Sequence, residues 1–86
     1  MSYTVDFSKK AEKYLRAVSD KSLYRRFRSA LDSLSANPRP PDCTKLQGAS
    51  DLYRIRVGDY RIIYQIQDDV LLVLVIEIGH RREIYR

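Results

Sequence analysis

The chain has 86 residues, of which 44% are hydrophobic and 31% charged, with a formal net charge of +5 and an isoelectric point near 9.6. That length allows one domain, residues 1–86, with a core of adequate but not generous size, and the basic balance favours an anionic partner. A single cysteine, Cys43, excludes an intramolecular disulfide, and no Cys/His cluster has zinc-like spacing, so neither metal nor cofactor is expected.

The opening segment, MSYTVDFSKK, lacks the apolar core of a signal peptide, and the longest apolar run, Val70 to Ile76, is too short to span a bilayer. A cytoplasmic protein with no membrane partner is the expectation. Tyr3 to Phe7 alternates apolar and polar residues, the pattern of a half-buried strand. Ser8 is placed to cap a helix whose apolar stripe is Ala11, Tyr14, Leu15 and Val18. Ser19-Asp20 then offers a turn and a second cap. Leu23, Phe27, Ala30, Leu31 and Leu34 form the next stripe, which Asn37-Pro38 ends. Two helices so closely joined form an antiparallel hairpin. Their outer faces carry Lys9, Lys10, Lys13, Arg16, Arg25, Arg26 and Arg28, most simply a solvated surface. Pro38 to Ser50 reads as an extended irregular loop.

The stretch LYRIRVGDYRIIYQIQ, Leu52 to Gln67, reads as a β-hairpin whose two-residue link, Gly58-Asp59, suits a type II′ turn. Pairing Val57 with Tyr60 sets Arg56 opposite Arg61, Ile55 opposite Ile62, Arg54 opposite Ile63 and Tyr53 opposite Tyr64. Side-chain alternation puts Tyr53, Ile55, Val57, Tyr60, Ile62 and Tyr64 on one face and Arg54, Arg56 and Arg61 on the other. Two arginines facing across a ladder repel, so an anion belongs there. From Asp51 onward six arginines balance six carboxylates, so the basic character lies in the patterning of one face.

Val70 to Ile78, VLLVLVIEI, has the near-continuous apolar character of a central strand covered on both faces. Asp68-Asp69 is a weaker turn signal, which leaves this strand's register open. The order predicts an α+β fold: an N-terminal strand, an α-helical hairpin, then a three-stranded antiparallel meander, all in one four-stranded sheet. The first strand lies parallel to the last, through a right-handed crossover. The tail from Gly79 to Arg86 holds His80, Arg81, Arg82 and Tyr85.

Lys45-Leu46-Gln47-Gly48, Leu52 to Arg56, Gly58 to Gln65 and Gly79 to Tyr85 together resemble the RelE toxin family, within the RelE/ParE superfamily of type II toxin–antitoxin systems. The resemblance extends over essentially the whole chain and implies a RelE-like, microbial RNase-type fold. It implies a ribosome-dependent mRNA interferase that cuts mRNA in the A site by attack of a ribose 2′-hydroxyl on the phosphodiester, without metal. The family's basic strand positions fall on Arg54, Arg56 and Arg61, its tail arginine on Arg81 or Arg82, and its tyrosine on Tyr85. Lys45 and Arg82 are further RNA-binding candidates. Several relatives have lysine where this chain has Arg54 and Arg56, and arginine is a poor base. Proton transfer is then left to Tyr85, to His80 as acid/base or stacking group, or to a ribosomal or substrate group. The implied partners are a RelB-like antitoxin, the ribosome and mRNA, and operator DNA reached through the antitoxin.

Each reading has a plainer rival. The arginine face could be solvated and salt-bridged to Asp51 or Glu77, Tyr85 could simply pack its ring, and His80 is more often a surface residue. Two other functional classes fit the fold: a ParE-like toxin that binds and poisons DNA gyrase without cutting, and a member kept only to bind its antitoxin.

Overall fold

The computed structural model describes residues 2–48, 51–80 and 82. Strand β1 (Thr4–Phe7) leads into helices α1 (Lys9–Ala17) and α2 (Lys21–Ala36), then β2 (Thr44–Lys45), β3 (Leu52–Val57), β4 (Tyr60–Gln67) and β5 (Leu72–His80). The five strands form one sheet in the order β1-β5-β4-β3-β2, with β1 parallel to β5 and the other pairs antiparallel. The α+β layout agrees with expectation, but the sheet has a fifth strand. Within the supposedly irregular loop, Thr44 and Lys45 pair with Arg54 and Tyr53 at the edge of β3. A two-residue strand has no periodicity to read. Among the described residues no helix is long and apolar enough to cross a membrane.

Local chemistry sets the helix ends. The Ser8 hydroxyl accepts from the Ala11 N–H at 3.1 Å, and Asp20 Oδ1 accepts from the N–H groups of Ser22 and Leu23 at 2.9 and 3.1 Å. Ser8 also donates to the Ile76 carbonyl at 2.7 Å, tying the start of α1 to β5. Ala11 and Leu15 of α1 and Phe27, Leu31 and Leu34 of α2 are buried against Ile55, Val57, Ile62, Tyr64, Ile66, Val73, Val75 and Ile78. Each of the valine, leucine, isoleucine and phenylalanine side chains contributes about 1.5–3 kcal/mol when fully buried.

The hairpin register agrees with the sequence at every pair, from Tyr53 with Tyr64 to Val57 with Tyr60. Gly58 has φ of +60°, whereas Asp59 is not among the positive-φ residues, the type II′ pattern. Strand β5 differs from expectation in two ways. Its outer face is only half covered, with Leu72 and Leu74 half-buried. It also has a β-bulge: Tyr64 pairs with Val75 but Ile63 pairs with Glu77, leaving Ile76 as the extra residue. The bulge reverses the alternation, so that Ile78 follows Val73 and Val75 onto the helix face.

Arg39 and Tyr64 hold the loop after α2. The buried Tyr64 hydroxyl donates to the Pro38 carbonyl at 2.7 Å, and burial pushes its phenol upward. Arg39 grips Asp68 through two bonds of 3.1 and 2.8 Å and donates from Nε to the Tyr53 hydroxyl at 3.2 Å, while Tyr3 donates to Asp68 at 2.7 Å. These bonds join the chain before β1, the α2–β2 loop, β3 and the β4–β5 turn. The Arg39 and Tyr3 hydrogen bonds hold the Asp68 carboxyl down at about 2.

Tyr64→Phe strips the Pro38 carbonyl of its donor, and urea denaturation should register a loss of about 1–3 kcal/mol. Asp68 has a folded value below its unfolded value, so its stabilisation is complete above about pH 4 and fades as pH falls towards 2. Asp68→Asn should flatten that part of the stability–pH curve, and an unchanged acid slope would assign the acid sensitivity elsewhere.

Candidate RNA-cleavage site

The face of the sheet turned away from the helices is a grid set by strand register. Thr44, Arg54, Ile63 and Glu77 form one row across β2, β3, β4 and β5, and Arg56, Arg61 and Gly79 form the next. The three expected arginines are therefore together on one face. Their exposure is uneven: Arg56 is exposed, Arg54 half-buried, and Arg61 buried at 6%. A sequence pattern places Arg61 on a face but cannot separate a solvent-facing cation from a sunken one. Its Nη1 donates to the Tyr60 carbonyl at 3.4 Å. A guanidinium keeps its charge at any ordinary pH, so Arg61 is a fixed cation held within this face.

The carboxylates offered by the plainer reading have other engagements. Asp51 accepts from Gln65 Nε2 at 2.7 Å, and Glu77 pairs with Lys10 at 3.1 Å. Arg56 has no ion-pair partner among the described residues; it borders an edge hollow of about 250 Å³ with Ser33, Pro40 and Asp42. A second hollow, about 400 Å³ between the helices and lined by Tyr14, Val18, Leu23 and Tyr60, lies on the far side of the sheet.

His80 is not with the arginines. It pairs with Tyr60, whose side chain faces the helices, and packs edge-on against that ring at 5.3 Å, while Tyr60 packs edge-on against Phe27 at 5.4 Å. The bulge at Ile76 causes this, because it turns Gly79 to the arginine face and His80 away from it. The Arg82 N–H donates to His80 Nδ1 at 3.2 Å. Lys45 is also turned away, opposite Tyr53, and Thr44 is the β2 residue beside Arg54. Arg82 is exposed just beyond β5. Arg81 and Tyr85 lie outside the described residues. Among the described residues no group of three His, Cys, Asp or Glu side chains is arranged to hold a metal ion.

The sequence pattern offers Glu77 only as a salt-bridge partner of the arginines and does not single out Thr44. A signal for Glu77 was present, since it is the one charged residue within VLLVLVIEI and sits where apolar alternation breaks.

Comparison with known proteins gives this geometry its context. Residues 5–85 match the family model described as the ParE toxin of the parDE type II toxin–antitoxin system. The chain belongs to the RelE/ParE toxin family. Within that family it is 32% identical to the mRNA interferase toxin RelE of Escherichia coli strain K12, over 99% of this chain and 92% of that protein. Among solved structures it is similar to RelE in the archaeal RelE–RelB complex from Pyrococcus horikoshii, with a TM-score of 0.82 and 36% identity over 94% of this chain and 97% of that one. The toxin of the intact Escherichia coli RelBE complex matches with a TM-score of 0.80 and 30% identity, over 92% and 96% of the two chains. The expected RelE-type fold is thus found, with the edge strand added.

The register that brings the arginines together depends on the Gly58 turn, where a side chain would be strained and a Cβ would lie 2.7 Å from Arg26 Nη2. Gly58→Ala should cost about 1–3 kcal/mol, read as a lower urea midpoint.

Proposed function

We propose that the chain is the toxin of a type II toxin–antitoxin pair and acts as an endoribonuclease that cuts mRNA in the ribosomal A site. The observation that supports this most is the sunken Arg61 facing Arg56 and flanked by Arg54 on the sheet face turned away from the helices, in a chain 32% identical to an mRNA interferase over nearly its whole length. In this reading the ribose 2′-oxygen attacks the adjacent phosphorus, the bond to the 5′-oxygen breaks, and a 2′,3′-cyclic phosphate remains. Charge builds on the non-bridging oxygens in the transition state, and three arginines neutralise it as oriented donors without a metal ion. Arg81 or Arg82 adds to the same charge and Tyr85 protonates the leaving oxygen, while Lys45, turned to the other side of the sheet, takes no part in holding that phosphate. The ring of His80, packed on Tyr60 away from the arginines, fits a packing role better than proton transfer.

The regulator is a RelB-like antitoxin, as in the RelE–RelB complexes of the relatives, and the pair reaches operator DNA through that antitoxin. Placement on the ribosome belongs to the same proposal, and the cytoplasm is where that target lies. The family model bears the ParE name, but a gyrase-binding toxin that cuts nothing has no use for a phosphate-directed arginine grid.

Primer extension on mRNA after induction should reveal ends at ribosome-occupied codons, and toxicity without such ends would favour the gyrase-directed reading. Arg61→Ala should lower cleavage on programmed ribosomes by about 10²–10³. Tyr85→Phe should slow the cleavage step while leaving ribosome binding unchanged. If that variant cuts as fast as the parent, Tyr85 is not the proton donor.

A further inference from the structure

A gap remains in the chemistry of the grid: it has cations for the phosphate but no group yet named to take the 2′-hydroxyl proton. Arginine keeps its own proton and cannot serve. His80 and Lys45 face the other side of the sheet. Among the described residues, Glu77 is the one carboxylate in the two cross-strand rows that hold Arg54, Arg56 and Arg61. It is there because of the bulge. Uninterrupted alternation from Val73 and Val75 would have turned position 77 to the helices; the extra residue, Ile76, turns it to the arginines instead.

We propose that Glu77 is the general base of the cleavage reaction, an assignment that rests on the mRNA-cleavage reading above. Glu77 is the diagonal neighbour of Arg61 on the adjacent strand, a separation of about 7–8 Å between backbones that long side chains close readily. Gly79 lies directly opposite Arg61, so no side chain of β5 intrudes at that position of the grid. A phosphate held by Arg61 and Arg54 therefore presents its neighbouring ribose toward Glu77. The carboxylate is half-buried and hydrogen-bonded through Oε2 to Lys10, which leaves Oε1 to accept. Lys10 is largely exposed, and such a pair is weak and screened by salt. Among the described residues, Lys10 from α1 and Arg54 and Arg61 from the sheet are the charges placed nearest Glu77 by the register, with Asp6 of β1 further along the same face.

In the step itself the 2′-hydroxyl proton passes to Glu77 Oε1 as the 2′-oxygen forms its bond to phosphorus. The bond from phosphorus to the 5′-oxygen breaks, and that oxygen takes a proton from Tyr85, the donor proposed above. Glu77 then releases its proton to solvent, from which the tyrosinate regains one, and no change of oxidation state occurs.

The rival role is an edge brace in which Lys10 and Glu77 matter equally, and single-turnover cleavage on mRNA-programmed ribosomes separates the two. Rate at saturation and half-saturating toxin concentration are measured for the parent, Glu77→Gln, Glu77→Asp and Lys10→Ala across pH, with thermal melts for each. Glu77→Gln should cut about 100-fold more slowly at saturation, with an unchanged half-saturating concentration and without the parent's loss of rate on the acid side. Glu77→Asp should recover part of the rate, and Lys10→Ala should stay within about threefold of the parent. Glu77→Gln cutting at the parental rate, or Lys10→Ala falling as far as Glu77→Gln, would overturn the assignment while leaving the cleavage reading in place. A parent chain that does not cut at all would overturn both.

Discussion

Every placement that matters in this molecule depends on the period-two alternation of side chains in one sheet. Two local devices fix its phase. In β3 and β4 the positive φ of Gly58 closes a two-residue turn, and the closed turn leaves only one register. In β5 the extra residue Ile76 shifts the phase by one position. A slip of the hairpin would send arginines into the helices and apolar residues into water, and loss of the bulge would turn Glu77 to the helices and Ile78 away from them. The cost of burying guanidinium groups against Phe27 and Leu31 is several times what the hairpin could recover, so the register is strongly specified.

The two faces of the sheet then divide the work. The helix side holds the aromatic and aliphatic core, with Phe27, Tyr60 and His80 in edge-to-face sequence and Tyr53 stacked on Tyr64 at 6.0 Å. The other side holds the charge. Setting Arg56 against Arg61 places like charges across the ladder, which costs stability. A fold tolerates such a pair when an anionic ligand repays it during function, which is how preorganised phosphate sites operate. The Arg39–Asp68 clasp serves this division indirectly, because it anchors the loop that carries β2, and β2 sets Thr44 beside Arg54.

Much of this was legible beforehand because the relevant signals are local. Ser8 and Asp20 cap helices through their own side chains, the apolar stripes recur at helical spacing, and Gly58-Asp59 names its own turn. Other features rest on contacts between residues far apart in sequence. Strand β2 exists only because β3 offers it an edge. The bulge sits where β5 pairs with β4 and Ser8 donates to the Ile76 carbonyl, contacts that nothing within VLLVLVIEI states. His80 followed the bulge to the helix side, and Glu77 was read only as a rival salt-bridge partner.

The sequence by itself determined the element types, the hairpin register, the arginine face and the RelE-like family, because each depends on neighbours a few residues away or on a spacing along the chain. Tertiary structure alone decided which of those arginines is sunken, that Thr44 rather than Lys45 lies beside Arg54, and that Glu77 rather than His80 joins them. Burial depends on what covers a residue, and phase depends on the partner strand. A one-residue bulge is enough to exchange the faces of everything after it.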